Sequence, residues 1–151
     1  MYLITVILLL FVFPTAAVLI EQFTGAGPVM LLVGKWFTFF AVGVRLFMAG
    51  IRQSLQPAFT AEAIFGVKDA AAHPIVREVG FGNLSMGAAG LISLIAPGWL
   101  PAIAFAGGLY YGLAGVGHVL NKAHTGKEAI ALWSDLFIFA VLAAYFVSSW
   151  S

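Results

Sequence analysis

Long apolar stretches alternate with short polar connections along this chain. The first stretch begins at Tyr2 and reaches Ile20 without a charged residue, and four more follow it. Because a helix of about 20 apolar residues crosses the hydrocarbon layer of a bilayer, the pattern predicts about five membrane-spanning helices. These predicted spans cover residues 2–20, 28–51, 75–97, 102–120 and 128–150.

The longest connection between predicted spans covers residues 52–74. It interleaves polar residues such as Glu62 and Lys68 with apolar ones such as Phe65. Such mixing is typical of a helix that lies in the membrane interface. We therefore expect a short interfacial or re-entrant helix at Thr60–Val67.

The composition agrees with the pattern, since 62% of the residues are hydrophobic and only 9% are charged. Soluble domains carry roughly 25% charged residues, so this chain has too few to cover a water-exposed surface. We predict one all-α integral membrane bundle over residues 1–151, surrounded by membrane lipid. The net charge of +1 gives no reason to expect nucleic acid as a partner. The chain has no cysteine, which excludes disulfides and thiolate metal sites.

The first apolar stretch has a second interpretation, because secretory signal peptides are also apolar and N-terminal. It has no Lys or Arg before its apolar run, and that run is long. We therefore interpret it as an uncleaved span.

Positive charge falls on alternate connections, which predicts an orientation. The connections at 21–27 and 97–101 have no Lys or Arg, whereas those at 52–77 and 121–127 have several. Lys and Arg are enriched in cytoplasmic loops. We expect a cytoplasmic N-terminus, a C-terminus on the opposite side, and the bacterial inner membrane as the location.

A few polar groups fall within the predicted spans, where a charge costs about 2.5–3.5 kcal/mol on insertion scales. Arg45 can bridge a carboxylate with two hydrogen bonds, so we expect it to pair with Glu78 or Asp135. The network has two interpretations: a structural cluster that holds the bundle together, or a site for a proton, an ion or a quinone head group. The predicted members, all in the cytoplasmic half, are Arg45, Glu78, Asn83, His118 and Asp135.

Glycines recur at helical spacing in the third and fourth predicted spans. Small residues let membrane helices approach closely, and Tyr111 and His118 lie on a face next to the glycines of the fourth span. We predict helix packing at Gly82, Gly87, Gly90, Gly108, Gly112 and Gly115.

No pattern predicts catalysis or metal binding. His73, His118 and His124 lack the spacing of zinc ligands, and haem ligation by His118 would need a second histidine at matching depth. The glycine-containing segments at 25–27 and 80–82 lack the strand and helix context of phosphate-binding loops. We predict no catalytic residue and no metal.

The segment that follows Arg77 carries Glu78, Val79, Gly80, Phe81, Gly82, Asn83 and Leu84. This stretch, followed by Gly87, resembles the signature of a family of small bacterial membrane proteins of unknown function. More loosely, the chain is similar to DoxX-like four-helix membrane proteins, some of which are tied to quinone-linked sulfur oxidation. The resemblance implies a compact helical bundle and transfers no activity, and it makes a quinone the one cofactor to consider.

Three functions remain open at this point. We expect an auxiliary, non-catalytic subunit in a larger membrane complex, because the chain is small and its helix faces are rich in glycine. The first alternative is a small transporter or channel, in the form of a homo-oligomer, that uses the polar network. The second is a quinone-linked redox subunit, which the DoxX-like similarity alone suggests.

Overall fold

The structure, a computed structural model, describes residues 2–120 and 126–150, without the side chains of Tyr2, Lys127 and Glu128. These residues form helices and turns, and no strand occurs among them. The helices in chain order are α1 (Tyr2–Ile7, Leu8–Val12 and Phe13–Phe23, continuous), α2 (Val29–Phe37, Thr38–Arg45 and Leu46–Leu55, continuous), α3 (Pro57–Ala63), α4 (Ala72–Ile92), α5 (Leu100–Leu120, after the 3₁₀ turn Pro97–Trp99) and α6 (Gly126–Ser148).

Four helical stretches in the described residues are long and apolar enough to cross a membrane, which fits the predicted all-α membrane bundle. They correspond to four of the five spans that the sequence predicts. The fifth predicted span, 75–97, falls on α4, which has 21 residues but is not among the four candidates. Its count as a span stays a prediction. The four candidates are Leu3–Phe23, Val29–Leu55, Pro97–Leu120 and Ala129–Ser148.

The connection between α2 and α4 contains a helix, but earlier than the sequence indicates. The predicted helix covers Thr60–Val67, whereas α3 covers Pro57–Ala63. Pro57 occupies the first helical position, where its missing N–H costs no hydrogen bond. Gly66 has a φ of +69°, a conformation that glycine adopts readily, and the helix has ended before it. Whether α3 lies at a membrane surface stays a prediction.

α2 and α4 run antiparallel with their backbones in contact. Gly43 lies against Gly90, and Phe47 lies against Gly87, so residue numbers rise along one helix as they fall along the other. A Cβ atom added at Gly87 would lie 2.5 Å from the backbone nitrogen of Phe47. The glycines therefore set the close approach of the two helices.

α5 and α6 form a second antiparallel pair, in which side chains of α6 cover glycines of α5. Gly108, Gly112 and Gly115 face Leu142, Phe139 and Leu136, respectively. Of the six glycines predicted to pack helices, only Gly82 has open space around it in the described part of the chain. Residues 80, 83, 87 and 90 form one stripe along α4 at spacings of three and four, and position 82 lies off this stripe. Gly80, which faces Ser54, stands where Gly82 was expected.

The core lies where α1, α2, α5 and α6 meet. Both α1 and α2 contain a π-helical segment, at Leu8–Val12 and Thr38–Arg45. The fully buried Tyr111 of α5 donates a hydrogen bond from its hydroxyl group to the carbonyl oxygen of Ala41, at 2.7 Å. π-Helical turns often occur at functional sites, and the one in α2 ends at Arg45.

Candidate functional site

A cavity of about 610 Å³ lies between the helices, and residues of all six contribute to its lining. Apolar side chains such as Leu46 and Ala114 form much of its wall. Four of the five polar residues that the sequence places in a network also line it. We call these four the cavity cluster: Arg45, Asn83, His118 and Asp135.

The register of the helices explains why these residues meet. Gly34 of α2 packs against the ring of Tyr145 of α6. Arg45 lies 11 residues after Gly34, and Asp135 lies ten residues before Tyr145. The ring centre of Phe37 of α2 lies 6.1 Å from that of Phe137 of α6, so residue numbers fall along α6 as they rise along α2. In this antiparallel arrangement, the two steps lead to the same level of the bundle. The arginine and the aspartate therefore face one cavity although they are far apart in sequence.

Asp135 is the buried acid of the cavity cluster, with 6% of its surface exposed. Its Oδ2 atom lies 3.9 Å from Nε2 of His118, and the carboxyl group also interacts electrostatically with Arg45. Its Oδ1 atom is buried and has no hydrogen-bond partner among the described residues. The carboxyl group is thus surrounded by basic groups and only partly satisfied.

Asn83 is the buried amide of the cluster, with 3% of its surface exposed. Its Nδ2 atom donates a hydrogen bond to Oε1 of Gln53, at 2.7 Å. Its Oδ1 atom, like that of Asp135, is buried without a partner in the described part of the chain. An acceptor left unsatisfied in the interior costs about 1–3 kcal/mol. Two such atoms in residues that line one cavity therefore need an explanation.

Two tyrosines and two residues of α2 join the site without having been predicted as members. Tyr110 lies close to Asn83, and the Tyr111 hydroxyl lies within hydrogen-bonding range of Arg45. Arg52 and Gln53 also line the cavity. Arg45 and Arg52 are seven positions apart and therefore lie on one side of α2. This spacing is visible in the sequence and could have indicated Arg52. Gln53 and Tyr110 become members only through the register of neighbouring helices, which the sequence does not state.

Glu78 does not join the cavity cluster, contrary to the sequence-based expectation. It is exposed and does not line the cavity. It lies five positions before Asn83, a spacing that puts the two on different faces of α4. Of the two acids considered as partners of Arg45, the structure brings Asp135 to it.

A second polar cluster lies at the other end of α1 and α2, and we call it the Glu21 cluster. Lys35 Nζ lies 2.7 Å from Glu21 Oε1, and Trp36 Nε1 donates a hydrogen bond to Glu21 Oε2 at 2.9 Å. The Lys35 ammonium group also lies 4.8 Å from the centre of the Trp36 ring. These contacts account for the charge of Lys35 within α2.

The described residues include no group of three or more His, Cys, Asp and Glu side chains that could hold a metal ion. The partly buried His118 and the buried Asp135 lie 3.9 Å apart, but they are two residues and do not make such a group. His124, and Lys122 in the connection at 121–127, lie outside the described residues.

Apolar helices of membrane-spanning length around a partly polar cavity fit a small helical membrane protein. The chain belongs to a family of unknown function, DUF6790, whose family model matches residues 1–151. No curated protein and no solved structure matches the chain. The seven-residue signature at Glu78–Leu84 and the DoxX-like similarity stay predictions.

Proposed function

We propose that this protein binds a small lipid-soluble molecule in the cavity and holds the polar part of that molecule at the cavity cluster. The observation that carries the proposal is a cavity of about 610 Å³ whose lining combines apolar side chains with buried polar ones. Ligand sites are concave and mostly apolar, with a few converging polar groups, and commonly measure about 300–1,000 Å³. The cavity has the size and the lining of such a site.

The alternative, a purely structural network, explains the cavity cluster less well. A network that only joins helices is stable when every buried member has its hydrogen bonds. Asn83 and Asp135 each keep one buried oxygen without a partner among the residues that the structure describes. A molecule bound in the cavity could donate hydrogen bonds to both oxygens, which would explain why the protein leaves them unpaired.

The test compares a substitution that fills the cavity with the same substitution on the exposed surface. Ala114 lines the cavity, whereas Ala140 is exposed on α6, away from it. We expect mass spectrometry to find a small molecule bound to the purified wild-type protein in lipid nanodiscs. Ala114→Trp should lose this molecule because the indole fills the space, and Ala140→Trp should retain it. Identical small-molecule contents in all three proteins would contradict the proposal.

The proposal includes five spans, with α4 as the fifth, in a bacterial inner membrane with a cytoplasmic N-terminus. α4 packs antiparallel on α2, with Gly90 against Gly43 and Gly80 against Ser54. A helix that lies beside a spanning helix over this length shares its depth in the membrane. The charges of Arg77 and Glu78 lie in the first turns of α4, near the proposed cytoplasmic surface.

Because the chain has no cysteine, single cysteines can report this topology without background. A membrane-impermeant maleimide on intact cells should label Gly25→Cys and Gly98→Cys. It should label Asp69→Cys only after the membrane is permeabilised. Matching labelling of positions 69 and 98 would mean that α4 does not cross.

The other sequence-based functions stay predictions beside this one. An auxiliary subunit would co-migrate with larger membrane proteins in a native gel after gentle solubilisation, and a homo-oligomer would migrate at a multiple of its own mass. A transporter that uses the cavity cluster would lose flux into proteoliposomes on Asp135→Asn. A quinone-linked redox subunit would contain a quinone among its bound small molecules.

A further inference from the structure

The buried part of the cavity lining contains polar side chains beside apolar ones, and the exposed part contains large apolar side chains beside Arg52. Asn83, Tyr111 and Asp135 are buried polar residues of the lining. Phe65 and Val79, with 53% and 44% of their surfaces exposed, also line it. A molecule that uses the buried polar groups and the exposed apolar ones has its polar group inside the bundle and its apolar part toward the membrane.

The unpaired atoms of the cavity cluster indicate which kind of polar group on a ligand would fit. Asn83 uses its amide N–H group to bind Gln53, so its remaining capacity is that of an acceptor. An ionised Asp135 carboxylate likewise only accepts hydrogen bonds, and its Oδ1 atom lacks a donor in the described part of the protein. Both atoms require a hydrogen-bond donor.

The charge of the buried lining is already balanced. The negative charge of Asp135 interacts with the positive charge of Arg45. Arg52, the other arginine of the lining, is exposed, and its guanidinium carbon lies 3.7 Å from the centre of the Phe59 ring. A charged group brought to the buried side would have no counter-charge there, and an unpaired charge is expensive in a low-dielectric interior. A neutral group avoids this cost.

We infer that the bound molecule is a neutral, lipid-soluble compound whose head group carries hydroxyl or N–H donors, and that it enters from the bilayer with this head group first. This inference rests on the proposed function and adds the chemical class of the ligand. The head group donates hydrogen bonds to Asn83 and Asp135. The hydrocarbon part leaves the cavity past Phe65 and Val79 and stays in contact with lipid.

Two pairs of probes test the class of head group on the full-length protein in nanodiscs. 4-Nonylphenol and 4-nonylanisole have the same ring and tail, but only the phenol donates a hydrogen bond. We expect the phenol to bind about tenfold more tightly, as one hydrogen bond to a buried polar or charged group implies. Dodecyl phosphate and dodecylammonium, which are charged, should bind no better than the anisole.

Variants separate this inference from the proposed function. Asn83→Leu should lower the preference for the phenol, because it removes one of the two acceptors. If this variant does not fold, the comparison of the probes on the wild-type protein still tests the inference. Equal binding of phenol and anisole, lost in Ala114→Trp and retained in Ala140→Trp, would overturn the inference and leave the cavity as a binding site. Tighter binding of a charged probe would also overturn it. Binding that Ala114→Trp does not change would overturn the proposed function as well.

Discussion

The two polar clusters of this protein differ in how completely their carboxylates are satisfied. In the Glu21 cluster, one oxygen of Glu21 accepts from Lys35 and the other accepts from Trp36. In the cavity cluster, one oxygen of Asp135 has no partner in the described residues. The same helix, α2, supplies the basic residue in each case. The fold can thus close a polar network completely, so an incomplete one beside a cavity indicates room for another molecule.

The two clusters also differ in burial. The side chains of Lys35 and Glu21 are 33% and 24% exposed, whereas that of Asp135 is 8% exposed. Removing a charge from water costs several kcal/mol when burial is nearly complete. The Glu21 cluster avoids most of this cost, and the cavity cluster bears it. Breaking each cluster should therefore have effects of different size.

The largest effect should follow loss of the basic partner of Asp135. Arg45→Met leaves that carboxyl group buried without its guanidinium neighbour, a change that costs about 3–5 kcal/mol in buried pairs. Thermal unfolding of the purified protein in lipid nanodiscs measures the loss. The double variant Arg45→Met/Asp135→Leu should recover much of it, because no lone charge remains. A double variant as unstable as the sum of the single ones would show that the two residues do not interact.

A smaller effect should follow disruption of the contact between α2 and α4, which sets the position of Asn83. Gly90→Ala forces a methyl group against the backbone of Gly43, and overpacking of this kind costs about 1–3 kcal/mol. Gly82→Ala is the matched control on the same helix, since no described atom outside the surrounding turns of α4 lies within 4 Å of the added atom. We expect a lower unfolding temperature for the first variant and no loss for the second. Equal effects would mean that the close approach of these helices contributes little.

The residues changed in these variants differ in how well the sequence predicts their surroundings. Hydropathy places the apolar helices, and the cost of burying charge selects Arg45 and Asp135 as residues that need partners. It does not say which face of α4 meets α2, because a helix with glycines and polar residues on several sides has no single apolar face. For this reason the sequence does not show that Glu78 is exposed or that Gly82 lies off the stripe that faces α2. Gln53, by contrast, becomes a partner of Asn83 only once the antiparallel register is known.

The smallest effect should come from the Glu21 cluster. Glu21→Gln keeps the shape of the side chain and an oxygen that accepts a hydrogen bond from Lys35 or Trp36, and it removes only the charge. Because partly exposed ion pairs contribute about 0.2–1 kcal/mol, the unfolding temperature should fall by much less than in Arg45→Met. The effect should shrink further at high salt, which screens exposed charges. A loss as large as that of Arg45→Met would mean that both clusters are structural to the same degree, and the contrast that indicates a ligand at the cavity cluster would lose its basis.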